Sequence, residues 1–71
     1  MPMGQKETEV LAAVKDLFGD PKNPTHPRGA PFEMIRNRLR LSKRKLEEVL
    51  MDLEEAGYLS LTHGDWCAVP V

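Results

Sequence analysis

Cysteine, aromatic residues and long apolar runs are all scarce in this 71-residue chain: it has one Cys, one Trp, one Tyr and two Phe. Cys67 alone cannot close an internal disulfide, and together with His26 and His63 it offers neither the number nor the spacing of ligands that a structural metal site needs. No apolar run approaches the ~20 residues of a membrane span, and no basic n-region leads into an apolar h-region at the N-terminus. The expectation is an intracellular, cytoplasmic protein without a membrane, metal or cofactor role. Too few aromatics are present for the base-stacking platforms of single-strand binders. No Ser/His/Asp, Cys/His or paired-carboxylate constellation falls in a predicted cleft, so neither an enzyme nor a small-molecule site is expected.

Basic residues are also missing from the last third of the chain, and that absence is the more informative one. After Lys45 there is no Lys or Arg, while Glu47, Glu48, Asp52, Glu54, Glu55 and Asp65 follow. Residues 28 to 45 are the reverse, with Arg28, Arg36, Arg38, Arg40, Lys43, Arg44 and Lys45 against the single acid Glu33. The formal net charge of −1 therefore averages over a strongly basic segment and a strongly acidic one, and a local basic face is compatible with it.

Hydrophobic periodicity divides the chain into six parts. Met1 to Gln5 have no pattern and are expected to be a flexible N-terminus, leaving residues 6–71 as one domain. From Glu7, Val10, Leu11, Val14, Leu17 and Phe18 lie along one helical stripe that stops at Gly19 and Asp20-Pro21. Four prolines and two glycines between Gly19 and Pro31 predict a stiff, extended loop, with room for a short strand near Arg28 to Ala30. Pro31 suits the first turn of a second helix, in which Phe32, Ile35 and Leu39 share a face. After a break at Arg40-Leu41, Ser42 is a good N-cap for a third helix running to Ala56, with Leu46, Val49, Leu50 and Leu53 inward and Gly57 as its left-handed cap. The period then shortens to two. Leu59 and Leu61 form one strand, a loop surrounds His63-Gly64, and Trp66 to Val69 form a second, which makes a hairpin. Trp66 is expected as a lid over the first helix, with a ligand platform as the alternative. Met34 and Met51 are expected to fill core gaps, or to serve a partner surface if exposed.

The order helix, stiff loop, helix, short break, helix, hairpin resembles the winged helix-turn-helix family. So does the local pattern Leu39-Arg40-Leu41-Ser42 followed by Leu46, Val49, Leu50, Leu53, Gly57 and Leu59, which is similar to the recognition-helix region of LexA-type and MarR-type DNA-binding domains. Glu47-Glu48 before Val49-Leu50, and the exit Ala56-Gly57-Tyr58-Leu59, resemble the LexA type in particular. The likeness covers roughly residues 8 to 70. It implies an α+β, mainly α fold: a three-helix winged helix-turn-helix with a short C-terminal β-hairpin wing. A plain three-helix bundle with an unstructured tail is the alternative, and it would leave Leu59, Leu61, Trp66 and Val69 exposed.

The resemblance further implies double-stranded DNA as partner, with the third helix (about Ser42 to Ala56) in the major groove and transcriptional regulation, or the DNA-binding part of a larger assembly, as the role. Arg44 then becomes the candidate for reading a guanine, and Glu47 or Glu48 for accepting from a cytosine amino group. Arg36, Arg38, Arg40, Lys43 and Lys45 become phosphate contacts, and Ser42 either a phosphate ligand or simply the helix cap. Two features depart from the family pattern. The hairpin tip Thr62-His63-Gly64-Asp65 has no Lys or Arg, and Asp52, Glu54 and Glu55 make the later turns of the third helix acidic. Two readings therefore stand beside groove binding: a solvated face whose charges pair locally, and a winged-helix protein-interaction module using the acidic helix face or the hairpin edge. A homodimer is compatible with each.

Overall fold

The computed structural model describes residues 4–62 and 64–71; the expectations for Met1 to Met3 and for His63 lie outside them. It is a small α+β domain, mainly helical, with three helices and two small antiparallel hairpins. Helix α1 spans Gln5–Phe18, α2 Phe32–Leu39 and α3 Lys43–Glu55. The strands are β1 (Gly19–Asp20), β2 (Asn23–Pro24), β3 (Leu59–Leu61) and β4 (Ala68–Pro70). Among the described residues no helix is long and apolar enough to cross a membrane.

Helix α1 is the centre of the packing. Its stripe buries Val10, Leu11, Ala13 and Val14, and it packs against α2, α3 and β4. Leu17 continues the stripe but is only partly buried, as is Phe18. The helix begins two residues before the expected Glu7, with Gly4 as N-cap, so part of the segment expected to be a flexible terminus is helical. A first turn frays or forms at little cost, which is why a hydrophobic stripe does not fix it.

The proline-rich connection holds more structure than a plain extended loop. Gly19 pairs with Pro24 and Asp20 with Asn23, closed by the Asp20 carboxylate accepting the Lys22 N–H at 2.9 Å across Pro21, a turn that Asp and Pro favour at these places. The strand expected near Arg28 to Ala30 shrinks to a single antiparallel bridge. Ala30 N–H donates to the Ala68 carbonyl at 2.8 Å and Ala68 N–H donates back at 3.0 Å. Both alanines are fully buried. The connection is thereby stitched to the outer side of β4, while β3 flanks the other side with Leu59 opposite Pro70, Ser60 opposite Val69 and Leu61 opposite Ala68.

Helix α2 starts one residue after Pro31, which is its extended N-cap rather than part of its first turn, and the Pro31 carbonyl accepts from Met34 and Ile35. Ile35 is its one fully buried side chain. Helix α3 buries Leu46, Val49, Leu50 and Leu53, the set its periodicity predicts. It ends in a Schellman arrangement, Tyr58 N–H donating to the Leu53 carbonyl at 3.0 Å and Gly57 N–H to that of Glu54 at 3.0 Å.

Strand β4 begins two residues later than expected, because Trp66 adopts a left-handed conformation (φ 55°) and belongs to the turn. Its N–H donates to the Thr62 carbonyl at 3.0 Å, and the Thr62 hydroxyl accepts from Cys67 N–H at 3.1 Å. Trp66 packs against the core, and its ring partner is Phe32 at the start of α2, edge to face with centroids 6.0 Å apart. Met34 and Met51 are exposed and fill no core gap.

Two glycines separate backbone strain from crowding. Gly57 has φ 86° and open space where a Cβ would stand, whereas Gly29 has φ 115° and its Cβ would come to 3.0 Å from the Ala68 carbonyl oxygen. Gly57→Ala is expected to cost about 1 kcal/mol, lowering the melting temperature by roughly 4–8 °C. Gly29→Ala is expected to cost more, because it also pushes the Ala30–Ala68 bridge apart. Thermal melts of both variants by circular dichroism test that order.

Candidate nucleic-acid interface

The basic residues gather where α2 ends and α3 begins. Helix α2 closes on Arg36 and Arg38, the left-handed Arg40 forms its C-cap, and Lys43, Arg44 and Lys45 make up the first turn of α3. The chain turns this corner tightly. Arg40 has φ 54° and Leu41 N–H donates to the Arg36 carbonyl at 3.3 Å. Ser42 then caps α3, its hydroxyl accepting the Lys45 N–H at 3.2 Å.

These cations are not equally available. Arg36 bonds Glu33 one turn back at 3.2 Å, and its Nε is buried with no partner, so the side chain is pinned along its stem. Arg38 pairs with Asp16 of α1. Among the described residues, Arg40, Lys43, Arg44 and Lys45 form no ion pair and all four are exposed. The local pairing of α3 carboxylates with the basic segment, the alternative to groove binding, does not occur among the described residues: Glu47, Glu48, Asp52, Glu54 and Glu55 make no salt bridge either.

The three base-contact candidates divide by direction. With Leu46, Val49, Leu50 and Leu53 inward, Arg44 and Glu48 stand on the opposite, exposed side of α3. Glu47 is half-buried and lines a groove of about 610 Å³ between the start of α2, the first turns of α3 and the loop from Gly64 to Cys67. That groove carries Lys43 against Glu33, Glu47 and Asp65, with Phe32 and Trp66 along it. Glu47 is thus set apart from Arg44 and Glu48.

The charge order of α3 runs against its own dipole. A helix N-terminus favours acids and its C-terminus favours bases, each worth roughly 0.3–1 kcal/mol. Helix α3 has no acid in its first turn and no base in its last. It places Lys43, Arg44 and Lys45 at the positive end and Asp52, Glu54 and Glu55 toward the negative end. Helix stability does not account for that arrangement. An anion at the first turn would offset its cost, since the positive helix end and three successive cations lie there.

Glu54 has a role that the sequence does not signal. Its carboxylate accepts the Leu61 N–H at 3.0 Å, covering the outward edge of β3 seven residues away. Nothing in local periodicity signals such a bond. Pro70, which has no N–H, sits on β4.

Comparison of the chain with protein-family models, with curated proteins and with solved structures gives no match in any of the three.

Two substitutions at the corner have opposite expected signs. Arg40→Gly relieves the left-handed strain and is expected to raise the melting temperature by a few degrees, equivalent to about 0.5–1 kcal/mol. Ser42→Ala removes the cap and is expected to lower it by about 4–8 °C, equivalent to ~1 kcal/mol. Calorimetric melts of the two variants check both signs.

Proposed function

We propose that this protein is a winged helix-turn-helix domain that binds double-stranded DNA, with the N-terminal half of α3 in the major groove. The single observation that carries the reading is the reversed charge order of α3, which leaves exposed, unpaired cations on a helix end that already favours anions. The element order supports it as well. Helix, bridging segment at Ala30, helix, tight corner, helix and hairpin is the order of the family that the Leu39-Arg40-Leu41-Ser42 pattern resembles. On this reading Arg44 and Glu48 face base edges, and Arg40, Lys43 and Lys45 hold phosphates. Arg36 and Arg38 mainly buttress the corner through Glu33 and Asp16. A cytoplasmic regulator of transcription, or the DNA-binding part of an assembly, is the role that follows.

The protein-interaction reading has one observation in its favour: Met51, Asp52 and Glu55 form an exposed, net acidic stretch of the later turns of α3 that DNA would not accept. Its hairpin-edge version is weaker, because Glu54 already occupies the outward N–H of Leu61.

Fluorescence anisotropy of a labelled random-sequence duplex, titrated at several salt concentrations, tests the proposal. Binding is expected to weaken steeply with salt, with a slope equivalent to about four to six phosphate contacts. Lys45→Ala and Arg40→Ala are each expected to reduce the slope by about one, and Arg36→Ala to leave it unchanged. No binding at low salt, or an Arg44→Glu variant that binds as the parent does, would rule the groove model out.

A further inference from the structure

We propose that the outward face of α3 also pairs with the same face of a second copy of this chain, antiparallel about a twofold axis, with Arg44 of each copy against Glu55 of the other. Arg44, Glu48, Met51 and Glu55 are all exposed and follow one another at intervals of four, three and four residues. That is the seam spacing by which two helices pack along one another. Met51, 49 % exposed, lies within this stripe as an apolar side chain with no cover.

The charge order selects the occupant. A uniformly anionic partner complements only the first turns of α3, and a uniformly cationic one only the last. A second α3 running the other way complements both. Antiparallel alignment sets Arg44 against Glu55 and Lys45 against Asp52, each twice by symmetry, while a parallel alignment sets like charges together. The same register sets each Met51 side chain against the methylene stem of Glu48 of the other copy, near the axis, at the cost of bringing the two Glu48 carboxylates toward each other, from which they turn out to solvent. Among the described residues none of Arg44, Lys45, Asp52 and Glu55 is engaged in an ion pair within its own chain. A patch limited to one face of a 13-residue helix is small, so the pair is weak and sensitive to salt.

The pairing buries Arg44 and Glu48, and it therefore competes with DNA. Only this last consequence rests on the function proposed above; the self-association does not.

Sedimentation equilibrium of the whole chain at high protein concentration and low ionic strength is the test, with circular dichroism to verify that each variant is folded. The parent is expected to rise above its monomer mass of 8.0 kDa and to return to it in high salt. Arg44→Glu and Glu55→Arg are each expected to weaken association at least about tenfold by opposing like charges, and the double variant carrying both changes to restore it. A parent that stays monomeric, single variants that associate as the parent does, or a double variant that fails to recover would each overturn the pairing. Restored association without any DNA binding would instead remove the proposed function and leave the pairing standing. Conversely, Arg44-dependent DNA binding by a strictly monomeric protein would do the reverse.

Discussion

The burial of one stripe of α1 is the constraint on which the rest of the molecule depends. Val10 and Val14 are fully buried, with Leu11 and Ala13 nearly so, and α1 packs against α2, α3 and β4. The relative setting of α2 and α3, and with it the cluster of cations at their junction, is held by this hub together with the tight corner from Arg40 to Ser42. The Asp16–Arg38 pair lies on this same α1–α2 contact, so a basic side chain at the corner also ties the corner to the hub. A domain of this size has one core and no covalent staple, and it cannot spare the element that joins all the others.

Against that economy, α3 carries a charge order that costs stability. Cations at the positive helix end, acids toward the negative end, a left-handed Arg40 and a left-handed Trp66 are each locally unfavourable. They cluster around one corner and one groove. Natural sequences tend to concentrate such conflicts where they bind something, and both proposals made here, a nucleic-acid ligand for the first turns of α3 and a reversed copy for the whole face, turn the conflict into complementarity. In each case the partner supplies the charge that the helix lacks.

The helices were legible in the sequence because their signals are local. Ile35, Leu46, Val49, Leu50 and Leu53 repeat at helical spacing, Ser42 caps by its own hydroxyl, and Gly57 ends α3 by its backbone freedom. What the sequence hid depends on contacts between distant segments. Ala13, Ala30 and Ala68 belong to the core, yet small residues at points of close approach leave no hydropathy pattern. The Ala30–Ala68 bridge and the Glu54–Leu61 bond join positions that periodicity treats as unrelated. Aromatics favour strands, so the sequence alone predicts Trp66 as the first residue of one; its place in a turn is set by Thr62 and Phe32. At the candidate site, the sequence marked the cations and the helix that bears them, but not that Glu33 and Asp16 occupy two of them and leave Arg40, Lys43, Arg44 and Lys45 free of ion pairs among the described residues.

Backbone amide shifts of the isotope-labelled protein, followed by nuclear magnetic resonance as a short random-sequence duplex is added at low salt, test the central claim most directly. At a protein concentration low enough that the chain is monomeric, the account predicts the largest changes from Arg40 to Glu48, with those from Asp52 to Glu55 small, as the charge order of α3 requires. Changes centred on the acidic turns of α3 or on β3, or no changes at all, would contradict it.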